Sequence, residues 1–230
     1  MSILNRLFTF GILAVLLASC TSGGGTSNPL VRPFEWFSYA NGDDIRKTCE
    51  PGTVSRYRII YNGLYDEQVR TYNISQWPGA KEAEQITRVF KGGISTDWSI
   101  SSAGLDIAGT HTSKKNISLK DLVAIEQALI AEGFEKPAIK GQVLHSDEFY
   151  WIAMVCRDGV FKYYAWTDRN ADIAKLPFSE VLSKGDETGI AFLEPYVPIQ
   201  YSRNSRYYSG RGRGGSTYFT MQIGDNGLNL

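Results

Sequence analysis

Residues 149–167 read FYWIAMVCRDGVFKYYAWT, and this stretch limits the possible folds more than any other in the chain. An apolar run and a second run rich in aromatics flank Asp158-Gly159. That dipeptide favours a two-residue hairpin turn, because both central positions of such a turn take positive φ. A turn there sets Trp151 opposite Trp166 and Met154 opposite Tyr163, and both faces of the resulting pair are largely apolar. Such strands belong in a sheet interior, not on a half-wet surface.

The rest of the chain supplies further hairpins. In VSRYRIIY, residues 54–61, Tyr57, Ile59 and Tyr61 alternate with Arg56 and Arg58, the period of a half-buried strand. Asn62-Gly63 predicts a tight turn, with residues 64–74 returning. That register places Arg58 opposite Glu67, which is favourable, and Ile59 opposite Asp66, which is not. Between residues 83 and 107, QITRVF, DWSI and LDIAG predict further short strands. The period then changes. Ser118 and Asp121 form a capping box variant, Ile117 and Leu122 are spaced for a hydrophobic staple, and Gly133 provides a stop. Leu122, Ile125 and Leu129, flanked by Val123 and Ile130, mark the expected buried face. A short helix is expected at PFSEVLSKG and a last strand at STYFTMQIG. The chain therefore predicts an α+β fold, a mostly antiparallel β-sheet built from hairpins with one main α-helix at about 118–133.

The first twenty residues, MSILNRLFTFGILAVLLASC, have a positive start and a short apolar core at residues 7–18. A membrane-spanning helix needs about 20 apolar residues, so this core has the layout of a secretory signal and not of a permanent span. Leu17-Ala18-Ser19-Cys20 resembles the lipobox of bacterial lipoproteins, a resemblance confined to residues 1 to about 26. It implies a signal peptide at 1–19, cleavage before Cys20, a diacylglycerol on the Cys20 thiol and acylation of the new amino group. The acyl chains would anchor the protein to the membrane. Thr21 stands where an aspartate would resemble an inner-membrane retention signal, so the expected location is the outer membrane, facing the periplasm. TSGGGTSNP, residues 21–29, reads as a flexible tether reaching on the order of 15–20 Å. Residues 20–33 are then lipidated cysteine plus linker, and 34–230 a single α+β domain with an Arg/Tyr/Gly-rich C-terminal segment.

With Cys20 lipidated, Cys49 and Cys156 remain, and in an oxidising envelope compartment they are expected to pair. The 24 basic and 24 acidic residues balance, so no net charge drives binding to nucleic acid, and no nucleic-acid partner is expected.

Catalytic and metal signals are sparse. His111 and His145 are the two histidines, without H-E-x-x-H or a cysteine cluster, so no metal site and no cofactor are expected. His145-Ser146-Asp147-Glu148 reads as polar residues ahead of a strand. Asp106, His111 and Ser113 are neighbours in the chain and the best candidates for an alternative role as an envelope hydrolase, although no G-x-S-x-G elbow accompanies them. In SGRGRGGSTYF, residues 209–219, Gly210, Gly212 and Gly215 spell G-x-G-x-x-G, but a strand-like segment follows where a dinucleotide site needs a helix. Arg203, Arg206, Arg211 and Arg213, interleaved with Tyr201, Tyr207 and Tyr208, instead suit contacts to anions. The expected function is a non-catalytic binding or structural role, with the membrane engaged through lipid and an anionic envelope polymer or an envelope protein as partner.

Overall fold

The computed structural model describes residues 36–92, 98–101, 104–107, 110–195 and 218–229. The lipobox, the tether, Cys20 and the four C-terminal arginines lie outside the described residues. Two short helices, α1 (Trp36–Asn41) and α2 (Asp43–Lys47), lead into the strands β1 (Ser55–Gly63), β2 (Gln68–Gln76) and β3 (Glu82–Lys91). A small hairpin follows, β4 (Trp98–Ser101) with β5 (Gly104–Ile107), then β6 (His111–Ser118) and the main helix α3 (Leu119–Ala131). β7 (Val143–His145), β8 (Phe149–Arg157), β9 (Val160–Thr167), a 3-10 turn (Ile173–Lys175), α4 (Pro177–Ser183) and β10 (Thr220–Gln222) complete the described chain.

Six strands form one antiparallel sheet in the order β6-β3-β2-β1-β8-β9, and β7 pairs with β10 in a separate two-stranded sheet. Both faces of the large sheet are covered, so β8 is apolar at nearly every position. On one face Trp151, Ala153 and Val155 join Tyr57, Ile59, Tyr61 and Tyr72 beneath α3 and α4, which contribute Leu122, Ile125, Leu129, Phe178 and Leu182. On the other, Tyr150, Ile152, Met154 and Cys156 pack with Ile60 and Val69 under Ala40, Ile45, Leu144, Met221 and Ile223. Each buried large side chain contributes about 1.5–3 kcal/mol, and a strand used on both sides collects that twice per pair of residues.

The hairpin at Asp158-Gly159 forms with the expected register, Trp151 opposite Trp166 and Met154 opposite Tyr163. Both turn residues have positive φ, 53° and 77°. A Cβ on Gly159 would stand 2.6 Å from Pro51, so close approach as well as conformation demands glycine. The helix is capped as its sequence implies. The Ser118 hydroxyl accepts the Asp121 N–H and the Asp121 carboxylate accepts the Ser118 N–H. At the far end Phe134 N–H reaches Leu129 O and Gly133 N–H reaches Ile130 O, a Schellman motif with Gly133 at φ 90°.

Two expectations need correction. The first turn is not at Asn62-Gly63. Both residues stay in β1, the chain turns through residues 64–67, and Ile59 faces Tyr72 while Arg58 faces Asn73. Asn62 is fully buried and donates to Ser146 O and Glu148 O, contacts from β8's approach that a turn residue would forgo. The second correction concerns α3, where Leu122, Ile125 and Leu129 are buried as expected but Val123 and Ile130 are 46% and 44% exposed. The sheet and α4 reach only one side of the helix.

Two buried arginines fasten coil to sheet. Arg58 donates bidentately to Asp44 at 2.8 Å per bond, to Tyr39 O and to Asn73, and lies over the Tyr39 ring, so that it holds α1 and α2. Arg70, 3% exposed, pairs with Asp186 and donates to Ile190 O and Ala191 O on the other face. Gln68 Nε2 donates to Ala191 O, and the Tyr61 hydroxyl donates to Leu193 O. Residues 186–193 are thus held in place without belonging to a helix or strand.

The outer edge of β9 is blunted. Asn226 Nδ2 donates to Phe161 O, Asn170 Nδ2 donates to Ala165 O, and Asn170 Oδ1 accepts Thr167 N–H. These groups are therefore spent within the chain instead of being offered to another strand.

Replacing Asp186 by alanine strands a buried guanidinium, so we expect a loss of about 3–5 kcal/mol in a urea titration. For the half-exposed Asp44, burial opposes ionisation, but the Arg58 charge and hydrogen bonds outweigh it and hold the carboxyl below its ordinary value. A depressed folded pKa contributes stability above the ordinary carboxylate range and loses it as pH falls through the folded value. Stability measured from pH 6 down to pH 3 is expected to fall less steeply in Asp44→Asn than in the parent; parallel curves would refute the linkage.

Candidate functional site

The residues singled out by sequence scatter over the fold. Cys49 and Cys156 form a disulfide across 107 positions, tying the loop after α2 to the end of β8. His111 and Ser113 share one side of the edge strand β6, where the Ser113 hydroxyl accepts the Glu187 N–H at 3.1 Å. Asp106 falls in β5, in the separate hairpin. His145 Nδ1 lies 2.9 Å from the Tyr218 hydroxyl, and Glu148 pairs with Arg169 at 3.5 Å. Burial pushes the Asp147 and Glu148 carboxyls upward. Among the described residues no three His, Cys, Asp or Glu side chains are grouped to hold a metal ion.

Two open depressions among the described residues bear on function. One, of about 230 Å³, lies between α3 and the β8–β9 hairpin, with Leu129, Ile130, Phe134, Val155 and Val160 in its wall. Its polar side is a clamp. Tyr57 donates to Glu126, and Arg157 donates to the same carboxylate oxygen at 2.9 Å. Burial, reinforced by the bond to Glu126 and its charge, pushes the Tyr57 phenol far above its ordinary value, so it stays protonated and serves as a fixed donor.

The second depression, of about 610 Å³, lies at the corner where β2 turns into β3. Trp77-Pro78-Gly79-Ala80 closes with Ala80 N–H on Trp77 O at 3.0 Å, and Gly79 has φ 75°. Proline second and a positive-φ glycine third define a type II turn. Gln76 Nε2 also donates to Trp77 O at 2.8 Å, so the residue carrying the indole is held by two bonds. The indole itself is 50% exposed. Beside it lies a polar row from two paired strands, Glu84 opposite Asn116 and Glu82 opposite Ser118. Asn116 Nδ2 donates to Glu82 Oε2 at 3.1 Å, and Lys114 pairs with Glu84 at 2.5 Å. Ala83 and Gln85, the alternate positions of β3, are buried beneath the helices, so the polar row is on the opposite face of the sheet.

Sequence reasoning passed over Trp77. Its signal was present: a tryptophan immediately before Pro-Gly sits in a turn and not in the strand that precedes it. Comparison with protein-family models, with curated protein sequences and with solved structures gave no match. What the geometry defines is a class, an α+β domain with a two-sided antiparallel sheet and a preorganised aromatic corner.

The disulfide closes a long loop, and chain entropy assigns it roughly 4–5 kcal/mol. Replacing Cys49 and Cys156 together by alanine is expected to lower the urea midpoint accordingly. Mass measured after alkylation, with and without reduction, should find no reactive thiol at either position until the protein is reduced.

Proposed function

We propose that this chain is a lipid-anchored cell-envelope protein that acts by binding and not by catalysis. The observation that carries the binding role is the Trp77 corner. Leaving a large aromatic half exposed forgoes burial worth on the order of a kcal/mol, and here the backbone around it is fixed before any ligand arrives. The envelope location rests on the lipobox at Leu17-Ala18-Ser19-Cys20 and is supported by the disulfide, a bond that persists in oxidising compartments. Thr21 points to the outer membrane and its periplasmic side. The C-terminal Arg203, Arg206, Arg211 and Arg213 add a second, electrostatic contact, to an anionic envelope polymer or an acidic partner.

Replacing Cys20 by alanine is expected to move the protein from the membrane to the soluble fraction and to abolish lipid labelling; retention in the membrane would defeat the anchoring proposal. Changing the four arginines to alanine in the unlipidated Cys20→Ala protein should weaken association with a polyanion such as heparin and flatten its salt dependence. Unchanged association at low salt would rule that contact out.

A further inference from the structure

We infer that the Trp77 corner is a saccharide site, taking pyranose rings of an uncharged or N-acetylated glycan. The inference rests on the binding role proposed above and names its ligand. A pyranose presents two kinds of surface, an apolar face of C–H groups and an equatorial rim of hydroxyls that each donate and accept. The corner offers a match to each. The indole supplies a flat, polarisable surface for the apolar face. The adjoining row supplies carboxylate oxygens from Glu82 and Glu84, the Asn116 amide and the Lys81 ammonium for the rim. Glu82 and Glu84 occupy alternate positions on one strand, about 7 Å apart, so the acceptors extend along the strand instead of converging on a point.

The same groups disfavour other ligands. A multivalent anion meets two carboxylates against the single lysine of the lining. A metal ion would compete with Lys114 and Asn116, which already engage those carboxylates. An apolar peptide would bury ionised groups without replacing their water, at a cost of several kcal/mol. Hydroxyls replace that water, bond for bond. The depression, about 610 Å³ and open to solvent, leaves room for rings to lie across the indole. The type II turn and the strand pair are formed in advance, so only side chains remain to be ordered on binding.

The test uses the full-length protein in detergent, titrated with the N-acetylglucosamine tetramer and, separately, with maltotetraose, and followed by calorimetry and by saturation-transfer NMR. At least one is expected to bind, and the comparison distinguishes an N-acetylated from a plain hexose ligand. Trp77→Ala should raise Kd at least tenfold while lowering the melting temperature by only a few degrees, the cost of the half-buried indole. Trp77→Phe, which keeps a smaller ring, should retain part of the affinity, and Glu84→Gln should weaken it severalfold. Should Trp77→Ala fail to fold, the other two variants decide. Failure of both oligosaccharides to bind at millimolar concentration, or an unchanged Kd in all three variants, overturns the inference. So does Trp77-dependent adsorption to phosphatidylcholine vesicles, which would make the corner a membrane contact. None of these outcomes touches anchoring, which the Cys20→Ala fractionation decides on its own.

Discussion

A guanidinium cannot be buried in a sheet without partners, and two neighbouring strands of this protein each bury one. Arg58 reaches one face and Arg70 the other. Each must find a carboxylate and carbonyls within reach, so each dictates where a length of otherwise irregular chain is fastened. Arg58 settles the two N-terminal helices and Arg70 settles residues 186–193. Were either arginine apolar, those segments would still be hydrophobic enough to touch the sheet, but only the remaining bonds, such as those of Gln68 and Tyr61 to the strap, would fix where. Arg70 also sits among tyrosines whose phenols stay protonated. Burial drives Tyr61 and Tyr72 upward despite the nearby positive charge, so the Tyr61 hydroxyl remains a donor to the strap.

Coverage of the sheet is uneven, and the proposed binding role rests on that unevenness. The central pair, β1 and β8, is sandwiched along its length, whereas α1, α2 and the β7–β10 pair do not extend over the β3–β6 corner. That corner carries charged and amide side chains on its open face, and among the described residues no helix lies against it. A half-exposed indole there stands apart from its polar neighbours, and on that juxtaposition the proposed saccharide site rests.

What was legible in the sequence was local. The hairpin at Asp158-Gly159, the cap at Ser118 and the stop at Gly133 are each written within a few residues, and each formed with the expected register or bonds. The antiparallel α+β class follows from the same signals. The Asn62-Gly63 signal misled because the decisive contacts of Asn62 lie more than eighty residues away, at Ser146 and Glu148. Arg70 and Asp186 are likewise distant in the chain, so no window of sequence could pair them. Val123 and Ile130 show the limit of periodicity, which gives the face a helix could bury but not how wide a surface it meets. At the candidate site the turn was readable at Trp77-Pro78-Gly79, but exposure of its tryptophan depends on the absence of a covering layer, a property of the whole fold.

The disulfide has a mechanical meaning. Cys49 and Cys156 enclose β1 through β8 and α3 in a covalent ring, leaving α1 and α2 on one tail and β9, α4 and β10 on the other. A pull applied between the two ends of the chain runs from tail to tail through the sulfur bridge and bypasses the ring. Tension would peel β9, β10 and the Arg70 strap from the ring, while the chain inside the ring, with Trp77 and its polar row, could not be drawn out straight. A protein tethered by its N-terminus and gripped near its C-terminus would keep its aromatic corner intact under strain.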